Sequence, residues 1–165
     1  MIFILEAIVL CIIFTLAIIP VCKNPLIGIH DYPPAIIERV KSLGLITDDQ
    51  IPHSKVVITK KISAALLISI LLGFIIYKFN GADNFITGAI ISYLLWFIVD
   101  WYDALVIDIA WFCHNKKFII PGTEDMVKDY HDYMFHIKGS VKGMLYGIPV
   151  CLLVGLLVEL FVILK

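Results

Sequence analysis

Four long apolar runs, separated by two polar loops and one short break, set the pattern of the chain. Ile2–Cys22 is interrupted only by Glu6, and Ile62–Phe79 is uncharged until Lys78. Phe85–Val99 is uncharged, and its run continues through Asp100, Asp103 and Asp108 to Cys113; Gly143–Leu164 carries a single charge, Glu159. A membrane-spanning helix needs about 20 mostly apolar residues, so each run predicts one. None alternates with the period of two that a barrel strand requires, and helices are the remaining way to satisfy the backbone in lipid. The first run lacks the basic segment and small-residue cleavage site of a signal peptide and reads as a mature span.

The loops, 23–61 and 114–142, carry their own signals. In the first, Asp31-Tyr32-Pro33-Pro34 opens a helix that Ala35–Ser42 continues and Gly44 stops, because proline fits a first turn and glycine a C-terminal cap. Ile36, Ile37, Val40 and Leu43 give it an apolar face. Asp48-Asp49 and Pro52 mark a turn before the second span. In the second loop, Pro121-Gly122 is a turn and Thr123 the expected N-cap of a helix over 124–137, broken at Gly139-Ser140. Met126, Val127, Tyr130, Tyr133, Met134 and Ile137 form one face of that helix, and Asp125, Asp129, Asp132 and His136 another. Such a helix suits the membrane interface. The expected fold is an all-α integral membrane protein with four transmembrane helices plus one or two cytoplasmic interfacial helices, in a single transmembrane domain over 1–165.

Composition agrees: 61% of the 165 residues are hydrophobic and only 16% charged, against roughly 45–50% and about 25% in soluble domains. The net charge of −1 excludes a nucleic-acid binder, which needs a basic excess. Eleven of the 13 Lys and Arg residues fall in the two loops, leaving Lys78 and Lys165. The positive-inside rule therefore predicts cytoplasmic loops and both termini outside the cytoplasm. Cys11, Cys22, Cys113 and Cys151 form no C-x-x-C pair and read as small packing residues.

The acids of the third span carry most of the functional signal. An aspartate at the centre of a membrane helix costs roughly 2.5–3.5 kcal/mol. Asp100 and Asp103 share a helix face at i, i+3. Asp108 lies about 140° round from Asp103 at α-helical spacing, so the three do not line one stripe. Trp96, Trp101, Tyr102 and Trp111 flank them. The candidate cation ligands are Asp100, Asp103, Asp108, Glu124, His131, Asp132 and His136, with Asp132 and His136 at i, i+4 the best single pair; His30, Asp31 and His114 lie on the same side. Carboxylates suit hard divalent cations or protons. Three functions fit this pattern: a cation- or proton-handling protein related to transport, a metal-dependent membrane-embedded enzyme acting on a lipid-like substrate, and an accessory or scaffold subunit. Interfacial acids that cap helices or pair with Lys116 and Lys117 would serve the third. Glu6 and Glu159, near the other ends of the spans, read as snorkelled or paired groups. The chain shows neither H-E-x-x-H nor the full phosphotransferase pattern built on D-x-x-D. Gly139, Gly143, Gly147, Cys151, Gly155 and Glu159 recur every four residues. That small-residue row predicts close helix contact, either within the chain or in a homo-oligomer.

Overall fold

The computed structural model describes residues 2–51 and 54–165; Pro52, expected in the turn before the second span, lies outside the described residues. The described chain is helical. It comprises α1 (Ile2–Lys23), α2 (Pro34–Ser42), α3 (Lys55–Phe79), α4 (Phe85–Tyr102), α5 (Val127–Tyr130) and α6 (Tyr133–Ile163). A π-helical segment, Asp103–Phe112, continues α4 without a break. Four of these helices are long and apolar enough to cross a membrane: α1, α3, α4 with its π segment, and α6. Side-chain caps start three of the four. Ser54 Oγ accepts from Val57 N at 3.2 Å, Asn84 Oδ1 from Thr87 N at 2.9 Å, and Asp132 Oδ1 from Phe135 N at 3.0 Å. Each satisfies a donor that the first helical turn leaves free.

Two helices begin earlier than the apolar runs. α3 starts at Lys55 rather than Ile62, and α6 at Tyr133 rather than Gly143. Hydropathy marks where a helix meets lipid, and Lys60, Lys61, Lys138 and Lys142 extend these helices beyond it. The loop helix expected over 124–137 is split accordingly. α5 ends at Tyr130, Asp132 caps α6, and Gly139-Ser140 lies inside α6 instead of breaking it. Thr123 is no N-cap either: it is buried and its Oγ1 donates to Ile120 O at 2.7 Å.

α6 is the centre of the bundle and packs along both α3 and α4, while α1 leans on α4. The glycine row makes the α4–α6 contact close. A Cβ at Gly147 would stand 2.5 Å from Trp96 Nε1, one at Gly155 2.6 Å from the Phe85 carbonyl, and one at Gly143 would collide with the Asp100 carboxylate. Open space surrounds Gly139. Three of the four glycines therefore serve a contact inside one chain.

The two loops fold over one end of the bundle as a single layer. Ile29, Tyr32, Ile36, Val40, Phe112, Phe118, Ile120 and Tyr130 form its buried core, with Met126 against it. Each such aliphatic or aromatic side chain contributes about 1.5–3 kcal/mol on burial. Val127 and Met134, expected on the same apolar face as Tyr130, are exposed, because the break at His131-Asp132 rotates α6 away from α5. The α2 apolar face and its glycine stop match the sequence pattern. Gly44 has φ +71°, and Leu45 N reaches Val40 O while Gly44 N reaches Lys41 O, a Schellman closure. Polar groups inside the layer are matched. Tyr32 Oη donates to Phe118 O at 3.0 Å, and Tyr130 Oη accepts from Ile120 N at 3.0 Å and meets Thr123 Oγ1 at 2.7 Å. Since the Thr123 proton goes to Ile120 O, Tyr130 donates to Thr123. Burial pushes both tyrosine phenols above their ordinary range, so they stay protonated donors.

Candidate functional site

The third long helix changes its winding where its acids lie. From Asp103 to Phe112 the hydrogen bonds run i→i+5, as in Cys113 N to Asp108 O at 2.9 Å. In an α-helix residues five apart diverge by about 140°; in a π-helix they stand one turn apart. The expectation that Asp108 points away from Asp103 is corrected by this local unwinding. Asp103 lies within electrostatic reach of Asp108, Asp31, Asp100 and His136. Asp31, Asp108 and His136 line one cavity where the third long helix, α6 and the loop layer meet, and Asp100 bonds to Ser140 of α6 beside them.

Each member has a defined partner. Asp100 faces the bundle interior, accepts a hydrogen bond from Ser140 Oγ of α6 and sits over Gly143; its partner is a hydroxyl. His136, also on α6, places Nδ1 2.9 Å from Asp108 Oδ2. The His136 side chain is only 3% exposed, and its Nε2 is buried without a hydrogen-bond partner. Because a carboxylate accepts, Nδ1 carries the proton in this pair, which leaves the Nε2 lone pair free in the neutral ring. Asp31 comes from loop one, where its carboxylate meets His30 Nε2 at 3.1 Å and Lys61 Nζ at 3.0 Å. The Asp31 side chain is mostly exposed, yet the protein around it still opposes ionisation; His30 and Lys61 outweigh that and hold the carboxyl below its ordinary range. A cavity of about 60 Å³ lies between these groups, with Asp31, Asp108 and His136 among its walls.

The other candidates lie elsewhere. Glu124 Oε2 accepts from Gly122 N at 2.8 Å and holds the Pro121-Gly122 turn. His131 gives Nδ1 to the Val127 carbonyl at 2.8 Å and stands against His114, ring centres 5.4 Å apart, on the exposed surface. Asp132 caps α6, so the i, i+4 pairing of Asp132 with His136 does not form: His136 has turned to Asp108 instead. Among the described residues no group of three or more His, Cys, Asp or Glu side chains is arranged to hold a metal ion, and neither Lys116 nor Lys117 pairs with an acid.

The aromatic residues around the acids act mainly as ties between elements. Trp96 Nε1 donates to Gly143 O at 3.1 Å, the Tyr102 hydroxyl meets Thr15 Oγ1 at 2.8 Å, and Trp111 packs edge-on to Phe118. At the opposite end of the bundle, Glu159 Oε2 accepts from Phe85 N at 3.0 Å and Glu6 Oε2 from Asn80 Nδ2 at 2.8 Å. Comparison of the chain with protein families, characterised proteins and solved structures gives no match.

Proposed function

We propose that the protein is a small multi-pass membrane protein that takes up and passes a proton, or a comparably small cation, at the acidic end of its third long helix. The observation that carries this reading is the buried Asp108–His136 pair with a free Nε2, set among Asp31, Asp100 and Asp103. Asp100 and Asp103 lie on the membrane side of this pair along the third long helix, and ionisable groups within membrane helices commonly mark ion or proton pathways. An imidazole with one nitrogen fixed by a carboxylate and the other free accepts a proton at Nε2 without losing its Asp108 bond.

The test is proton flux in sealed proteoliposomes under an imposed pH gradient, read with a trapped pH dye. Wild-type protein should collapse the gradient faster than empty vesicles. His136→Gln keeps the ring's approximate length and a hydrogen-bonding group but removes the titrating nitrogen, and should abolish the difference. Equal rates for protein-containing and empty vesicles would overturn the reading.

A second reading, an enzyme acting on a lipid-like molecule, draws on a different feature. An apolar groove of about 490 Å³ runs along α1 from Phe3 to Ile12 and is closed by Ile98 and Tyr102 of α4. Native mass spectrometry showing one lipid class retained and chemically altered would favour it over the proton reading.

A further inference from the structure

At the other end of the bundle, two buried acceptors meet with one donor between them. Glu6 Oε2 accepts from Asn80 Nδ2 at 2.8 Å, which joins α1 to the C-cap of α3. The second oxygen of each group, Glu6 Oε1 and Asn80 Oδ1, is buried without a hydrogen-bond partner among the described residues. An unpaired buried acceptor is costly, and here one pair of groups holds two. A carboxylate offers acceptors alone, and a primary amide offers one oxygen and one NH₂. Turning the Asn80 amide over therefore exchanges its atoms and leaves the same shortage of a donor.

The other charged groups of this end do not supply one. Lys78 and Lys165 are exposed. Asp83 accepts from Asn84 Nδ2 at 2.7 Å, and Glu159 from Phe85 N at 3.0 Å. Among the described residues none of them forms an ion pair with Glu6. Hard metal cations take roughly six or more oxygen ligands, and this pair offers two. The surroundings are apolar: the next residue, Ala7, packs in one cluster with Ile76 and Ala82, with Phe3 against it. A bare carboxylate is expensive in such a setting. A single proton on Glu6 gives Asn80 Oδ1 its donor and removes the charge.

We propose that Glu6 and Asn80 form a proton-binding site: one proton, bonded to Glu6 Oε1 and donated to Asn80 Oδ1, closes them into a neutral acid–amide pair that clasps α1 to α3. The two planar groups then meet edge to edge, each giving one hydrogen bond and taking one. Release breaks the O–H bond, returns its electron pair to Oε1 and sets a carboxylate oxygen against the amide oxygen. α1 depends on the clasp because Ala7 is its one buried residue. The site stands apart from the loop-end acids and does not rest on their function.

The test is solid-state NMR on the full chain in lipid bilayers, with ¹³C at the side-chain carbonyls of glutamate and asparagine. Glu6→Gln lacks one glutamate signal and so assigns Glu6 Cδ. In wild type at pH 7 that carbon should show the shift of a protonated carboxyl, and the carboxyl proton should correlate with Asn80 Cγ. An ionised Glu6 at pH 7 would overturn the site, and so would a carboxyl proton with no correlation to Asn80. Replacing sodium and potassium with N-methylglucamine should leave the signal where it is; a shift would mean that a metal cation holds the pair instead. The clasp is read by hydrogen exchange over residues 2–12. As pH rises and the Glu6 signal moves to its ionised position, exchange there should speed by about tenfold, the scale of one lost hydrogen bond. Glu6→Gln supplies an N–H where the acid supplies O–H, and its exchange should not respond to the same pH change beyond the intrinsic rate. An equal response in the variant and wild type would overturn the clasp.

Discussion

The acids at the two ends of the bundle have the same chemistry and opposite settings. At the end near the chain termini, Glu159 meets the first amide of α4 and Glu6 meets the Asn80 side chain. Each ties two helices together, one carboxyl group to one partner. At the loop end, Asp108 pairs with a single buried imidazole, His136, and both line a cavity together with Asp31. An acid with one fitting donor is explained by helix joining. Acids that line a cavity with a buried imidazole whose second nitrogen has no partner offer polar groups that helix joining does not use. The contrast separates structural from functional carboxylates where composition alone treats them alike.

The contrast can be strained first through the packing that both ends share. Gly147→Leu would drive side-chain atoms into the Trp96 indole and break its bond to Gly143 O. Overpacking of this kind costs about 1–3 kcal/mol or more. It should lower the unfolding temperature of the detergent-solubilised protein and damage both ends together. Glu159→Ala acts on one end only. Removing a helix cap costs about 0.5–2 kcal/mol, so thermal stability should fall modestly while proton flux is kept.

A smaller effect follows from pH. Asp31 has a folded-state carboxyl held below its ordinary range. It therefore favours the folded loop layer fully above its unfolded value, about 3.9, and loses that contribution as pH falls through its folded value. Hydrogen exchange should show 25–46 losing protection below about pH 4 while α6 keeps it, and Asp31→Asn should show less of this acid sensitivity. Smallest of all should be Glu6→Gln. The amide keeps an acceptor for Asn80 Nδ2 and brings an N–H for the buried, unpartnered Asn80 Oδ1, so stability should be unchanged or slightly higher.

Much of the fold was legible in the residues. Apolar length alone marked four helices, and Gly44 and Pro121-Gly122 fell at real turns with φ of +71° and +89° at the glycines. Helix ends were less legible, since the lysines that start α3 and α6 are poor hydropathy markers yet good helix formers. In the site, Asp100, Asp103, Asp108 and His136 were visible as costly or well-placed polar residues, but their meeting was not. It depends on the π segment, which hydrophobic periodicity at 100° per residue does not reveal. It depends equally on Asp31, whose position over the bundle follows from Tyr32, Ile36 and Val40 packing against Phe112 and Phe118 in the loop core. Glu124, His131 and Asp132 share the residue types of a site, but a turn, a surface histidine pair and a helix cap account for them.

The most direct test sets the two ends against each other in one assay. The double variant Asp103→Asn/Asp108→Asn and the double variant Glu6→Gln/Glu159→Gln each remove two carboxylates from one end and keep side-chain size. Both are reconstituted at equal density, and proton flux is measured under the same gradient. The loop-end variant should lose about 100-fold or more of the protein-dependent flux, the range seen when preorganised charge or a proton-transfer group is removed, while the other keeps most of it. Equal flux in the two variants would contradict the account, because the acids around His136 would then do no more than those that join helices.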